Sequence, residues 1–79
     1  MDLKDIISID PEVLSGQPVF KGTRVPVESL FDHLEAGVSL DAFLDDFPSV
    51  SKQQAVAALE IANKLLTSKN IAKLYEAAA

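Results

Sequence analysis

Pro26 divides this chain into two periodicities, and that change constrains the fold more than any other feature. Before it, apolar residues come in short β-branched or aromatic groups separated by turn formers; after it, they recur every three to four positions. Val27, Leu30, Phe31 and Leu34 follow the spacing of one helix face, and proline suits the first helical turn, where its missing N–H costs nothing. Gly37 stands where a left-handed C-terminal cap is expected. Ser39 can cap a second helix, with Leu40, Phe43, Leu44 and Phe47 on its apolar face, Asp41 favouring its N-terminus and Pro48 ending it. Ser51 and Gln54 have the spacing of a capping box for a third, longer helix, whose expected apolar stripe is Val56, Leu59, Ala62 and Leu66. At 100° per residue, Ile71, Leu74, Tyr75 and Ala78 fall roughly 110° from that stripe. A break is therefore expected within Thr67 to Asn70, with a fourth helix beyond it.

Upstream of Pro26, Ile6 to Ile9 is almost entirely β-branched and is closed by Asp10-Pro11, which predicts a short strand. Ser15 to Pro18 and Lys21 to Thr23 are turn segments that bracket Val19-Phe20, and Arg24-Val25 follow, so one or two further strands are expected. The reading is a mainly α single domain over 1–79: a strand and turn segment at 1–26, a helix-turn-helix-like core at 27–66 and a C-terminal helix at 67–79. The small hairpin leads into a three- to four-helix bundle of homeodomain-like arrangement, with its turn at Phe47 to Val50. A chain of 79 residues buries only about 60–65% of its unfolded surface. Its strand edges invite pairing with a second copy, so a homodimer is expected.

Composition narrows the function classes. There is no cysteine, which removes disulfides and thiolate metal sites and suits a reducing cytoplasm. The single histidine, His33, has no second histidine or cysteine to build a metal site with, and it reads as a partly exposed surface residue. Asp2 and Asp5 stand where a signal peptide needs positive charge, and no apolar run approaches the roughly 20 residues of a membrane span. A cytoplasmic protein without membrane association is expected. Asp41, Asp45, Asp46 and Glu35 read as an exposed acidic face rather than a metal or catalytic site, and no nucleophile–base pair accompanies them. Neither an enzyme nor a cofactor is expected. The net charge of −5 is uneven, with −7 over residues 1–47 and +2 over 48–79, so any DNA contact must come from a local patch.

The segment Gly16-Gln-Pro-Val-Phe-Lys-Gly-Thr-Arg-Val-Pro-Val27 resembles the Gly-x-Pro-x-x-x-Gly-Thr-Arg-x-Pro-Val signature of the family catalogued as domain of unknown function 433. Ile9 to Leu14, Ala36 to Leu40, Asp46-Phe47-Pro48 and Gln54 to Leu59 resemble that family's outlying motifs, in the same order. The resemblance covers about residues 6–62. It implies a bacterial helix-turn-helix-like domain, often a VapB-like antitoxin, that neutralises a PIN-like ribonuclease toxin and represses its own operon. The competing readings are a DNA-binding transcriptional regulator without a toxin partner, and a homo-oligomeric interaction module.

Within the signature, Gly16 and Gly22 read as turn residues with positive φ. A phosphate-binding loop does not fit, because Lys21 precedes Gly22 and Pro18 lacks an N–H. Arg24 reads foremost as a structural donor to backbone carbonyls or to a carboxylate such as Asp10, and otherwise as a phosphate or partner contact. The candidate DNA-binding residues are Lys52, Gln53 and Gln54 at the start of the third helix, with Lys21 and Arg24. Gln53, Ala57, Glu60 and Lys64 are expected on its solvent face, where Glu60 would repel phosphate. The candidate partner-binding residues are Ile71, Leu74 and Tyr75, which either pack back on the bundle or dock into a partner's groove.

Overall fold

In the computed structural model, which describes residues 2–78, the elements run α1 (Leu3–Ile6), β1 (Ile7–Ser8), a single 3-10 turn (Leu14–Gly16), β2 (Val19–Phe20), α2 (Val27–Glu35), α3 (Leu40–Asp46), α4 (Lys52–Leu66) and α5 (Lys69–Ala78). Residues 1 and 79, included in the expected terminal segments, lie outside the described residues. The architecture is mainly helical with a minimal antiparallel hairpin at its N-terminal end, as the periodicities predict.

The expected strand over residues 6–9 is shorter than anticipated, because a capping box competes for its start. Leu3 N–H donates to Asp2 Oδ1 at 2.7 Å and Asp2 N–H donates to Asp5 Oδ2 at 3.1 Å. These bonds hold Leu3–Ile6 as one helical turn, so Ile6 belongs to α1 and β1 retains only Ile7 and Ser8. β1 pairs with β2 in the register Ile7 to Phe20 and Ser8 to Val19. Past Phe20 the chain reverses at Gly22, whose φ of +80° meets the need of a type II turn. The Thr23 hydroxyl secures the reversal by donating to Phe20 O and accepting from Val25 N–H. A second extra strand does not form at Arg24-Val25. What remains is a single bridge between Val19 and Pro26, with Phe20 N–H donating to Val25 O.

The helix boundaries follow the sequence signals closely. Pro26 precedes α2 as its cap residue, and Gly37 takes a φ of +84° just beyond the helix end. Ser39 Oγ accepts from Ala42 N–H at the start of α3. A short turn through Pro48 then leads to α4, giving the helix-turn-helix-like pair. The break before α5 is two residues, Thr67 and Ser68, and both hydroxyls donate to carbonyls of the last turn of α4.

Phe20, Leu30 and Phe43 are completely buried, with Ile6, Val19 and Val50 beside them. The α4 face that meets this core differs from the expected one. Ala55, Ala57 and Ala58 are buried, whereas Val56 is 39% and Leu66 is 66% exposed. The buried face is thus rotated by roughly 100°, or one residue. The physical reason is volume: the Phe20 and Phe43 rings already fill the centre, so α4 approaches with its smallest side chains. Ala57, expected in solvent, is covered because α1 packs on α4 and brings Ile6 into the same core cluster.

His33 is partly exposed, as expected, but its ring has a packing role that the sequence does not mark. It is half-buried, edge-on to Phe43 and Phe47 at centroid distances of 5.3 and 5.4 Å. Its Nδ1 lies 2.6 Å from Ser29 O; a carbonyl only accepts, so Nδ1 carries the proton. Leu30→Ala is expected to lower stability by about 2–5 kcal/mol in urea titration. Leu66→Ala, at an exposed end of α4, should stay within about 0.5 kcal/mol.

Candidate functional site

Two surfaces gather the residues that the sequence singles out. One is the N-terminal turn of α4. Ser51 Oγ accepts from Gln54 N–H at 3.0 Å, and Gln54 Oε1 accepts from Ser51 N–H at 3.1 Å. Gln54 Nε2 reaches across the fold to donate to Lys21 O at 3.0 Å. Both ends of the Gln54 amide are therefore engaged, and this side chain ties the hairpin turn to α4 instead of facing outward. The sequence marks its capping role but holds no local signal for a partner 33 positions upstream.

That bond has a consequence for charge. It places the Lys21 backbone against the first turn of α4, so two exposed lysines, Lys21 and Lys52, flank the helix N-terminus together with exposed Gln53. Unpaired backbone N–H groups and the helix dipole make such an end favourable to anions. Arg24 is exposed in the same turn segment. It does not take up the expected pairing with Asp10, whose Oδ1 instead accepts from Glu12 N–H at 2.9 Å. Further along α4 the surface turns unfavourable for a nucleic acid. Gln53, Glu60 and Lys64 border a shallow depression with Ile6, so α1 overhangs the face that a recognition helix would lay into a groove.

The other surface is α5. Its predicted stripe is present and does not pack back on the bundle: Leu74 is 65% and Tyr75 is 76% exposed, with Ile71 half-buried. Leu65 and Leu66 at the end of α4 are each 66% exposed. Five large apolar side chains thus lie on two consecutive helices joined by a two-residue turn, an arrangement suited to contact with another molecule.

Among the described residues there is no buried polar or charged side chain and no group of three His, Cys, Asp or Glu side chains close enough to hold a metal ion. Asp41, Asp45 and Asp46 are exposed along α3. Among the described residues, too, no helix is long and apolar enough to cross a membrane.

Comparison with known proteins places the hairpin and the first helices in a recognised frame. The profile of the family described as Protein of unknown function (DUF433) matches residues 7–62. Over 51 residues, 65% of this chain, the sequence is 35% identical to the Sinorhizobium fredii protein named Uncharacterized protein y4eO. It spans 23% of that relative's length. The crystal structure of a DUF433 member protein from Anabaena variabilis superposes with a TM-score of 0.68 at 27% identity. That match covers 78% of this chain and 61% of the other.

The Gln54 bonds separate two neighbouring glutamines by measurement. Gln54→Ala removes the reciprocal cap and the link to Lys21, an expected loss of about 1–2 kcal/mol, or roughly 4–16 °C in thermal midpoint for a domain this size. Gln53→Ala should leave the midpoint unchanged.

Proposed function

The chain belongs to the DUF433 family, and from that footing we propose that it is a non-catalytic binding protein of the antitoxin type, acting in the cytoplasm, which holds a PIN-like ribonuclease through the exposed face of α5. The observation that carries this reading is the position of Leu74 and Tyr75, 65% and 76% exposed on a helix whose own chain leaves them uncovered. Burying a large apolar side chain is worth about 1.5–3 kcal/mol, and aromatic residues are enriched among the anchors of protein interfaces. An amphipathic helix seated in an apolar groove is a common recognition mode. Lys69 and Lys73 on the same helix supply positive charge in a chain that is acidic as a whole.

Operator contact is a second element of the proposal, favoured by the convergence of Lys21, Lys52 and Gln53 at the start of α4. Only that first turn is available for it, because Ile6 overlies α4 at Ala57 and Glu60 stands beyond. With Gln54 engaged internally, Gln53 is the one glutamine left to read a base edge.

Co-expression with the product of the adjacent reading frame tests the first element. The two proteins should co-purify and the toxicity of the ribonuclease should be relieved. Leu74→Asp and Tyr75→Asp should each weaken the complex at least about tenfold, as loss of an anchor worth 1.4 kcal/mol or more requires. A chain that neither co-purifies nor relieves toxicity overturns the reading. For the second element, a gel shift on the chain's own promoter should weaken with Lys21→Ala and Lys52→Ala, the double variant reducing the salt slope by about 2. No change in either quantity removes operator binding from the proposal.

A further inference from the structure

A second apolar surface lies away from the α5 stripe. Leu3 and Ile7 form one wall of a groove, Val27 and Phe31 the other, and Ala58 and Ala62 of α4 its floor. The depression holds about 170 Å³, below the roughly 300–1,000 Å³ of small-molecule sites. Exposed Leu65, beside the joint that leads to α5, also lines it. Ala58 and Ala62 leave room between the walls for a helix to approach, Ile61 of α4 stands beside them, and the lining is apolar throughout.

We propose that this groove seats α5 of a second copy of the chain, each copy giving its helix to the other. Charge selects that occupant. The elements that wall the groove, α1 with its cap residue Asp2 and α2, carry Asp2, Asp5, Glu28, Asp32 and Glu35 against Lys4, a net −4 with His33 neutral. α5 carries Lys69 and Lys73 against Glu76, a net +1. The groove's own lining is apolar, and the net negative charge of the elements around it favours the C-terminal helix over another acidic N-terminal segment. The joint gives a second reason. Thr67 Oγ1 donates to Asn63 O at 2.8 Å and Ser68 Oγ to Leu65 O at 2.9 Å, closing the last turn of α4, and beyond this joint α5 leaves Leu74 and Tyr75 exposed. Because each chain carries both this stripe and this groove, a two-fold axis matches the two pairs at once, as a closed dimer requires.

This inference goes beyond the ribonuclease reading and shares one surface with it, so the second copy and the ribonuclease compete for α5. It also moves the dimer contact away from the strand edges that the sequence suggests.

The test uses the full chain alone, by light scattering and sedimentation. The native chain should be a dimer, and Leu74→Asp and Leu3→Lys should each be monomers with unchanged circular dichroism, since both positions are exposed. An equimolar mixture of the two variants should regain a dimer with one copy of each, because the Leu74→Asp chain keeps an intact groove and the Leu3→Lys chain an intact α5. Tyr75→Asp in place of Leu74→Asp should give the same pattern. A monomeric native chain overturns the proposal, as does a dimer that survives either variant or a mixture that stays monomeric. A monomer that still binds the ribonuclease sinks this inference and leaves the antitoxin reading standing; a dimer that binds no ribonuclease does the reverse.

Discussion

The contact of Phe20 with Phe43 is the one on which the rest of the fold depends. Phe20 belongs to a two-residue strand, too short to be stable alone, yet its ring is fully buried with a centroid 6.5 Å from that of Phe43 on α3. The hairpin is thereby a part of the helical core rather than an appendage to it. Once Phe20 is seated, its neighbours follow: the Lys21 carbonyl meets Gln54 on α4, Val25 N–H meets Thr23 Oγ1, and Val27 N–H returns to Pro18 O at the start of α2. The turn-rich segment between Gly16 and Val27 is best understood as the framework that carries this one ring to the centre.

Much of the helical layout was legible because helix ends obey local rules. Pro26, Gly37, Ser39, Ser51 with Gln54 and the phase change before α5 each act within a few residues of the boundary they mark. The Asp2–Asp5 cap that begins α1 is an equally local signal, and it was overshadowed by the β-branched run after it. Non-local features were not legible. The face of α4 is chosen by how much space two distant phenylalanines leave, and the fate of the Gln54 amide by a carbonyl on another element. His33 stands between Asp32 and Leu34 in sequence, while the rings it packs against lie on α3 and just beyond its end.

The family match and α5 occupy different parts of the chain. The matched span closes at residue 62, four residues before α4 ends, and α5 begins at Lys69. The signature accounts for the hairpin, the turn at Gly22 and the start of α2. The four most exposed large apolar side chains, Leu65, Leu66, Leu74 and Tyr75, lie outside the matched span, while Ile9, also exposed, lies within it.

The alanine face of α4 has a consequence for how this small core responds to change. Ala55, Ala57 and Ala58 are buried without giving up side-chain rotamer freedom on folding, so the longest helix contributes to the core at little entropic cost. The same economy leaves almost no volume to lose at those three sites and much to gain. At Ala55, fully buried in the cluster that holds Ile6 and the phenylalanine rings, added methyl or methylene groups must displace those neighbours, and overpacking typically costs about 1–3 kcal/mol. The tolerance of this interior is therefore asymmetric: along α4 the sensitive substitutions are those that enlarge a residue, while along α2 and α3, where Leu30 and Phe43 supply the bulk, they are those that shrink one.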